Sequence, residues 1–303
     1  MIDFSEGTFS AYCLDHYLKQ PQMNVPDVLF QMHERVPDMI SDTEEFDNTE
    51  TMEDLGRSGF CLIQKKNGFR YGEDTVLLSF FAAQNAPRKR RILKAAELGT
   101  NCGAASILLA ARRQDIAVDG MEVQCEAAGV FEKNISLNHL EGRLRSFCCD
   151  IRDLFSGGPE EIKRASYDLV FFNPPYHVQG RGPVTAKEAD SSDLLKARFE
   201  VNGTLEDFFR AADWLLLPQG KIILVQRTSR LPEVLRHMAD NQLQPSRIRF
   251  VHVRPEKPAT LFLLCGQKHG KAGGFQVLPP LILYKNEHSY SDELHSIYFD
   301  KGD

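Results

Sequence analysis

No apolar run in this 303-residue chain approaches the length of a membrane span. Its start, Met1-Ile2-Asp3-Phe4-Ser5-Glu6, lacks the basic opening and apolar stretch of a secretory signal. A cytoplasmic protein with no membrane partner is expected. Seven cysteines stand at positions 13, 61, 102, 125, 148, 149 and 265, and no Cys-x-x-Cys pair occurs. An odd count without such a pair argues against a disulfide framework and against a zinc site. The cysteines are therefore expected to be reduced and structural, with Cys148-Cys149 in a buried strand, and no metal is expected. Internal repeats are absent, which excludes solenoids and propellers. Nothing in the sequence demands an oligomer; a monomer or weak homodimer is expected.

Positive charge is scarce overall, with a net of −6, but it is unevenly placed. Residues 1–54 carry thirteen acidic and two basic side chains, a net of −11; the remaining 34 basic and 29 acidic residues leave +5. Local patches, not the total, govern attraction for phosphates. An acidic N-terminal extension over 1–54 and a mildly basic body over 55–303 are expected. Short helical patterns occupy Thr8–Lys19 and Val25–Arg35 of the extension, and an acidic linker spans Asp42–Asp47.

From Ile92 onward, short apolar runs alternate with helical patterns. Strands are expected over Ile92–Leu98, Ile116–Glu122, Leu144–Cys149, Asp168–Phe172 and Lys221–Gln226. Helices are expected over Ala104–Arg113, Cys125–Leu137, Leu205–Leu217 and Leu231–Asn241. The alternation implies an α/β fold: a mostly parallel sheet with helices on both faces. Ile248–Val253 and Thr260–Cys265 form a closing pair that suggests an antiparallel end.

Glu97-Leu98-Gly99-Thr100-Asn101-Cys102-Gly103 falls where the first of these strands gives way to a helix. Glycines there let backbone approach a ligand, and strand ends are where open α/β sheets bind ligands. Asn101 holds a place where glycine is common, but asparagine tolerates positive φ. Glu97 is placed to face an ammonium. Glu122, followed by Val123, closes the second strand and can accept hydrogen bonds from ribose hydroxyls. Asp150, followed by Ile151, closes the third and can meet an adenine amino group. Ammonium, ribose and adenine together describe S-adenosylmethionine. A nicotinamide cofactor would bring a diphosphate, which Glu97 repels.

The fourth strand runs into Asn173-Pro174-Pro175-Tyr176. Consecutive prolines stiffen the backbone and remove two donors. The Asn173 amide oxygen and the Pro174 carbonyl then offer two acceptors to an NH2 group. Catalysis at such a turn is chiefly positioning and electrostatics. Tyr176 is placed to stack on a base, worth about 1–3 kcal/mol in nucleic-acid sites.

With these residues the chain resembles the Asn-Pro-Pro-Tyr class of amino methyltransferases, which act on adenine N6, cytosine N4, guanine N2 or protein glutamine N5. Two segments narrow the likeness, Gln64–Leu78 with its run Phe69-Arg70-Tyr71-Gly72-Glu73-Asp74, and Ala197-Arg198-Phe199-Glu200. Both are similar to signature segments of the bacterial tRNA1(Val) adenine-N6 methyltransferase family, which modifies the adenine 3′ to the anticodon (position 37). The ending, Val277–Tyr284 and Tyr290–Glu293, is similar too. The resemblance covers roughly residues 55–300. It implies a Rossmann-like class I methyltransferase fold with seven strands, the last antiparallel. It also implies that Arg70, Gly72 and Asp74 close over the cofactor, with Asp74 able to cap the helix that follows. The leader and Asn101 depart from the family pattern. Expected RNA contacts are Arg198, Arg247, Arg249, Arg254 and Lys257, and the loop Val178–Asp193 follows the catalytic turn. Two other readings stay open: a glutamine-N5 methyltransferase of the release-factor type, and a non-catalytic RNA-binding module.

Overall fold

The computed structural model describes residues 49–68, 70–176, 203–286 and 289–299. The two helical patterns of the leader, the Asp42–Asp47 linker, the Val178–Asp193 loop and Arg198 lie outside them. No helix among the described residues is long and apolar enough to cross a membrane.

A small antiparallel pair comes first, β1 (Glu50–Asp54) and β2 (Cys61–Lys65), in register from Glu50↔Lys65 to Asp54↔Cys61. Acidic composition had placed Glu50–Asp54 in the leader. Two cations reconcile those acids with strand structure: Lys133 pairs with Glu50 at 2.8 Å, and Arg70 pairs with Glu53. The folded body therefore begins ahead of residue 54.

The main sheet is built from β3 (Leu93–Leu98), β4 (Ile116–Glu122), β5 (Leu144–Cys148), β6 (Tyr167–Phe172), β7 (Leu216–Arg227), β8 (Leu243–His252) and β9 (Ala259–Lys268). Spatial order is β8-β9-β7-β6-β3-β4-β5. β3 to β7 pair in parallel, and β9 runs against both β7 and β8. This is the seven-stranded, mostly parallel arrangement expected, with its last long strand antiparallel. Two two-residue strands, β10 (Gln276–Val277) and β11 (Leu281–Ile282), add to the outer edge of β8.

Helices α1 (Glu73–Asn85), α2 (Ala104–Arg112), α3 (Cys125–Leu137) and the C-terminal α6 (Asp292–Phe299) bury one face of this sheet, in a core that includes Leu77, Phe81, Ile107, Phe131 and Ile297. Helices α4 (Leu205–Leu215) and α5 (Leu231–Asp240) cover the other, around Phe172, Phe209, Leu215 and Met238. α4 starts at a capping box: the Thr204 hydroxyl accepts from Asp207 N–H while Asp207 accepts from Thr204 N–H. It ends two residues earlier than its apolar pattern suggests, because Leu216 and Leu217 already belong to β7.

The cysteine expectation is corrected. Cys125, the first residue of α3, and Cys148, the last of β5, form a disulfide. Cys148 is exposed, not buried. The spacing argument missed the pair because the thiols are 23 residues apart and meet only when β4, α3 and β5 stack. Cys61, Cys102, Cys149 and Cys265 are free thiols.

Candidate active site

The chain passes from β3 outward through β4 to β5, then returns to lay β6 on the other side of β3. Strand order reverses there, and the crevice outside the carboxyl ends of β3 and β6 is where such sheets bind ligands. Leu98 and Phe172 are register partners, so Gly99 and Asn173 leave the sheet side by side. A cleft opens between them, lined by Tyr71, Thr75, Glu97, Gly99, Thr100, Asn101 and Asn173 among others.

The turn after β3 winds tightly. Gly99, Asn101 and Gly103 take φ of 68°, 50° and 83°, all in the left-handed region. Asn101 holds its place as expected, with its Oδ1 accepting from Cys102 N–H at 2.7 Å. The turn is also tied down from outside. Glu122 accepts from Asn101 N–H at 3.0 Å and, through its other oxygen, from Gln124 N–H at 2.9 Å. Asn134 on α3, which the sequence reading did not single out, donates to the carbonyls of Cys102 and Ile63 at 2.9 Å and accepts from Ile63 N–H at 2.6 Å. One buried amide thus joins β2, the turn and α3.

Glu97 is 4 % exposed and accepts from the hydroxyls of Thr100 at 2.8 Å and Ser106 at 2.5 Å. Burial outweighs these bonds and pushes its carboxyl up to about 7. Burial raises the Glu122 carboxyl as well, against the backbone N–H groups that favour its ionised form. Asp150 is different: it is half-buried, and Arg152 holds it below the usual carboxylate range through a side-chain pair with contacts of 2.9 Å. Ile151 is buried and Val123 half-buried, at the ends of β5 and β4. The Cys125–Cys148 disulfide ties those two ends together.

On the near side, Gly72 is the N-cap residue of α1 and makes no side-chain cap bond. Asp74 is therefore not the cap. It lies one residue inside the helix, and its Oδ1 accepts from Thr75 N–H at 2.8 Å. Its Oδ2 accepts from the Tyr176 hydroxyl. Tyr71 N–H donates to Gln64 at 3.0 Å, which keeps the Arg70–Asp74 segment over the cleft. Arg70 is held by Glu53 of β1. Farther along the chain, the Tyr284 hydroxyl donates to Glu73 at 2.5 Å and braces the start of α1.

The Asn-Pro-Pro-Tyr turn is firmly held. The Pro175 carbonyl accepts from Arg230 at 3.1 Å and Gln226 at 3.4 Å, and Arg230 is fixed by a two-armed pair with Glu233 at 2.8 and 2.9 Å. Pro174 is buried. Asn173 Oδ1 is buried and has no hydrogen-bond partner, although an orphaned buried acceptor is costly. Arg227, also absent from the sequence reading, sits with its guanidinium 5.1 Å from the centre of the Tyr176 ring.

The expected RNA contacts separate into two groups. Arg247 donates to Asn85 at 2.9 Å, at the far end of α1 from the cleft-lining Thr75. Arg249 makes a two-armed pair with Glu293 at 2.7 Å that fastens α6 to β8. Arg254 and Lys257 lie instead on the β8–β9 connection. The register Arg227↔Leu261 and His252↔Ala259 carries that connection to the end of the sheet holding the cleft. Of the basic run before β3, Lys89 and Arg91 pair with Asp168 at the opposite end.

The sequence profile of the methyltransferase small domain matches residues 74–190. The match runs from the start of α1 through the glycine turn and β6 past the Asn-Pro-Pro-Tyr turn, and takes in the cleft-lining residues other than Tyr71. The chain is 28 % identical over 219 residues to the tRNA1(Val) (adenine(37)-N6)-methyltransferase of Aeromonas salmonicida, covering 69 % of this chain and 84 % of the relative. It is also 28 % identical over 198 residues to the protein of that name from Porphyromonas gingivalis, covering 65 % and 74 %. Among solved structures it is similar to a predicted O-methyltransferase from Agrobacterium tumefaciens, with a TM-score of 0.57, 20 % identity, and 74 % and 95 % of the two chains covered. Methanocaldococcus jannaschii Trm5 in complex with adenosine aligns at a TM-score of 0.50 and 13 % identity, over 75 % and 59 %. At these identities the structural likenesses establish the fold: a class I methyltransferase sheet around this domain.

Proposed function

We propose that the protein transfers a methyl group from S-adenosylmethionine to the exocyclic N6 of an adenine in tRNA, at position 37 of tRNA(Val). The observation that carries this reading is the orphaned, buried Oδ1 of Asn173, a residue that lines the β3–β6 crevice. A buried acceptor without a partner suits a ligand that brings a donor, and an exocyclic NH2 is such a ligand.

The cleft fits the cofactor. Left-handed positions at Gly99, Asn101 and Gly103 bring backbone to its floor. Glu97 answers an ammonium, Glu122 the ribose hydroxyls, and Asp150 with Ile151 the adenine side. Gly72 and Asp74 stand over it at the start of α1. When bound, the cofactor supplies an electrophilic methyl on a sulfonium.

The chain's own part is orientation. Asn173 Oδ1 and the Pro174 carbonyl accept the two amine hydrogens and so fix the direction of the nitrogen lone pair. No base is required before transfer, since the amine is neutral and sheds its proton only once it has become cationic. Tyr176 offers a ring beside the base. The tRNA identity comes from the named relatives. Arg227, Arg254 and Lys257, at the cleft end of the sheet, suit phosphates of a bound RNA. A cytoplasmic location follows from that substrate.

The test is methyl transfer from labelled S-adenosylmethionine to bacterial tRNA lacking the modification, followed by nucleoside analysis. N6-methyladenosine at position 37 is expected. Labelling of a release-factor glutamine, with tRNA untouched, would replace this reading by the glutamine one. Binding of tRNA without any transfer would leave only a binding module.

A further inference from the structure

Consecutive prolines leave a turn short of donors of its own. Pro174 and Pro175 carry no N–H, so the ladder between β6 and β7 cannot continue through them. Its last register pair is Phe172↔Leu224. Beyond that point the chain of β7 reaches the turn by side chains instead.

Gln226 is fully buried, and its Oε1 accepts from Arg227 N–H at 2.8 Å. That bond directs its Nε2 to the Pro175 carbonyl, 3.4 Å away. Arg230, buried and the N-cap residue of α5, donates to the same carbonyl through Nη1 at 3.1 Å. Its Nε and Nη2 donate to the two oxygens of Glu233 at 2.9 and 2.8 Å, so the plane of the guanidinium is set before it meets the turn. Asn173–Pro175 is thus held at both ends, by the ladder at Phe172 and by the gripped carbonyl at Pro175. Between these points each proline ring fixes φ near about −65° and leaves only ψ free. Pinning the Pro175 carbonyl removes much of that freedom, and with it the swing of the Pro174 carbonyl and of Asn173. A buried ion pair is a weak source of stability, since apolar side chains of similar size often serve as well. A rigid fork aimed at one carbonyl is a source of geometry.

We propose that Arg230, oriented by Glu233 and assisted by Gln226, is a positioning residue that aims Asn173 Oδ1 and the Pro174 carbonyl at the target amine by gripping the Pro175 carbonyl. This rests on the reading of the turn as the amine acceptor. It places part of the control of transfer at the β7–α5 junction, outside the residues matched by the methyltransferase small domain.

The double variant Arg230→Met with Glu233→Leu replaces the pair by apolar side chains of similar size. Its melting temperature should stay close to that of the wild type. Its kcat is expected to fall roughly 10- to 100-fold, the loss typical of misplaced reacting groups. KM for tRNA and Kd for S-adenosylhomocysteine should stay within about threefold, since no group proposed to touch either is removed. Unchanged kcat would overturn the proposal. So would a loss spread equally over kcat, KM and Kd, which is what a merely structural pair gives.

A second variant and a second readout guard against a double variant that does not fold. Arg230→Lys keeps the charge but not the fork that serves Glu233 and Pro175 together. Pro175-Tyr176 is the one Pro–Tyr pair in the sequence, so labelling proline carbonyls with 13C and tyrosine with 15N isolates a single cross-peak for the gripped carbonyl. In Arg230→Lys that carbonyl resonance should move upfield, as when a hydrogen bond is lost, and kcat should fall about 10-fold. An unmoved resonance would refute the grip. A moved resonance with wild-type kcat would show a grip that does not aim the acceptors, and would overturn the proposal equally. If the wild type makes no N6-methyladenosine, the functional reading fails and the positioning role with it; if it does and the variants match it, the positioning role fails alone.

Discussion

Phe131 fills the space that a side chain at Gly103 would need: a Cβ built there would lie 1.8 Å from the edge of the phenylalanine ring. The same ring closes over Gly120, where a Cβ would lie 2.5 Å from it and 2.9 Å from Thr100. The glycine turn is thus shaped as much by α3 as by the cofactor it is expected to hold. Gly103 also sits at φ 83°, which a side chain resists independently. Gly103→Ala is expected to cost about 2–4 kcal/mol, from overpacking together with backbone strain. Thermal unfolding gives the check. Adding Phe131→Leu should recover part of the loss, and strictly additive effects of the two changes would show that the ring is not the obstacle.

Asn173 and Glu122 sit on neighbouring sides of the cleft and should fail differently. Asn173→Ala removes the amine acceptor, and kcat should fall about 10²- to 10³-fold, as when one oriented polar group is lost from a transition-state site. Cofactor affinity should change little. Glu122→Ala should weaken cofactor binding severalfold, since the turn loses its anchor at Asn101 N–H as well as its ribose acceptor. Calorimetry with S-adenosylhomocysteine beside steady-state kinetics separates the two. Equal damage to binding and turnover by both variants would erase the division of labour.

The parallel strands were legible because each is a short run with apolar residues recurring along it, and Ile116–Glu122 has the bounds its pattern gives. The site was legible because glycine, acid and proline at strand ends have few structural uses. The rest depended on partners that periodicity does not record. β1 reads as acidic leader until Lys133 and Arg70 are seen beside it. Asn134, Arg227 and Arg230 act through contacts 32 to 71 residues away or through a bend in the turn, and carry no motif of their own. Arg247 and Arg249 look like surface cations, yet each is committed within the fold.

Glu97 should make cofactor binding sensitive to pH. Its carboxyl, pushed up to about 7 by burial, is largely protonated at pH 6. A bound ammonium favours the ionised form, so binding below about pH 7 should release a proton, and affinity should rise with pH before levelling off above it. The binding heat should therefore depend on the buffer's ionisation enthalpy at pH 6 and not at pH 8. Glu97→Gln should remove that dependence. The same shift has a sign in stability: with a folded value above the ordinary 4.5, the contribution is fully present below pH 4.5 and lost as pH rises through about 7. Glu97→Gln should accordingly raise the melting temperature at pH 8 relative to the wild type, and leave no such advantage at pH 4. Buffer-dependent heat persisting in Glu97→Gln would assign the proton to another group.

The Cys125–Cys148 bridge should matter to stability more than to chemistry. It closes a loop spanning 23 residues, which in the chain-entropy account is worth about 3 kcal/mol. It also joins the start of α3, just after Glu122, to the end of β5, just before Asp150. Reduction, or Cys125→Ser, should lower the unfolding free energy by about that amount, and the denaturant midpoint with it, while the slope rises slightly because the unlinked unfolded chain exposes more surface. Because Cys148 is exposed, a mild thiol should open the bridge without prior unfolding. Identical midpoints with and without reductant would mean that the sheet and α3 hold this flank unaided. The crosslink would then be a consequence of two thiols brought together by the fold, and not one of the forces that set it.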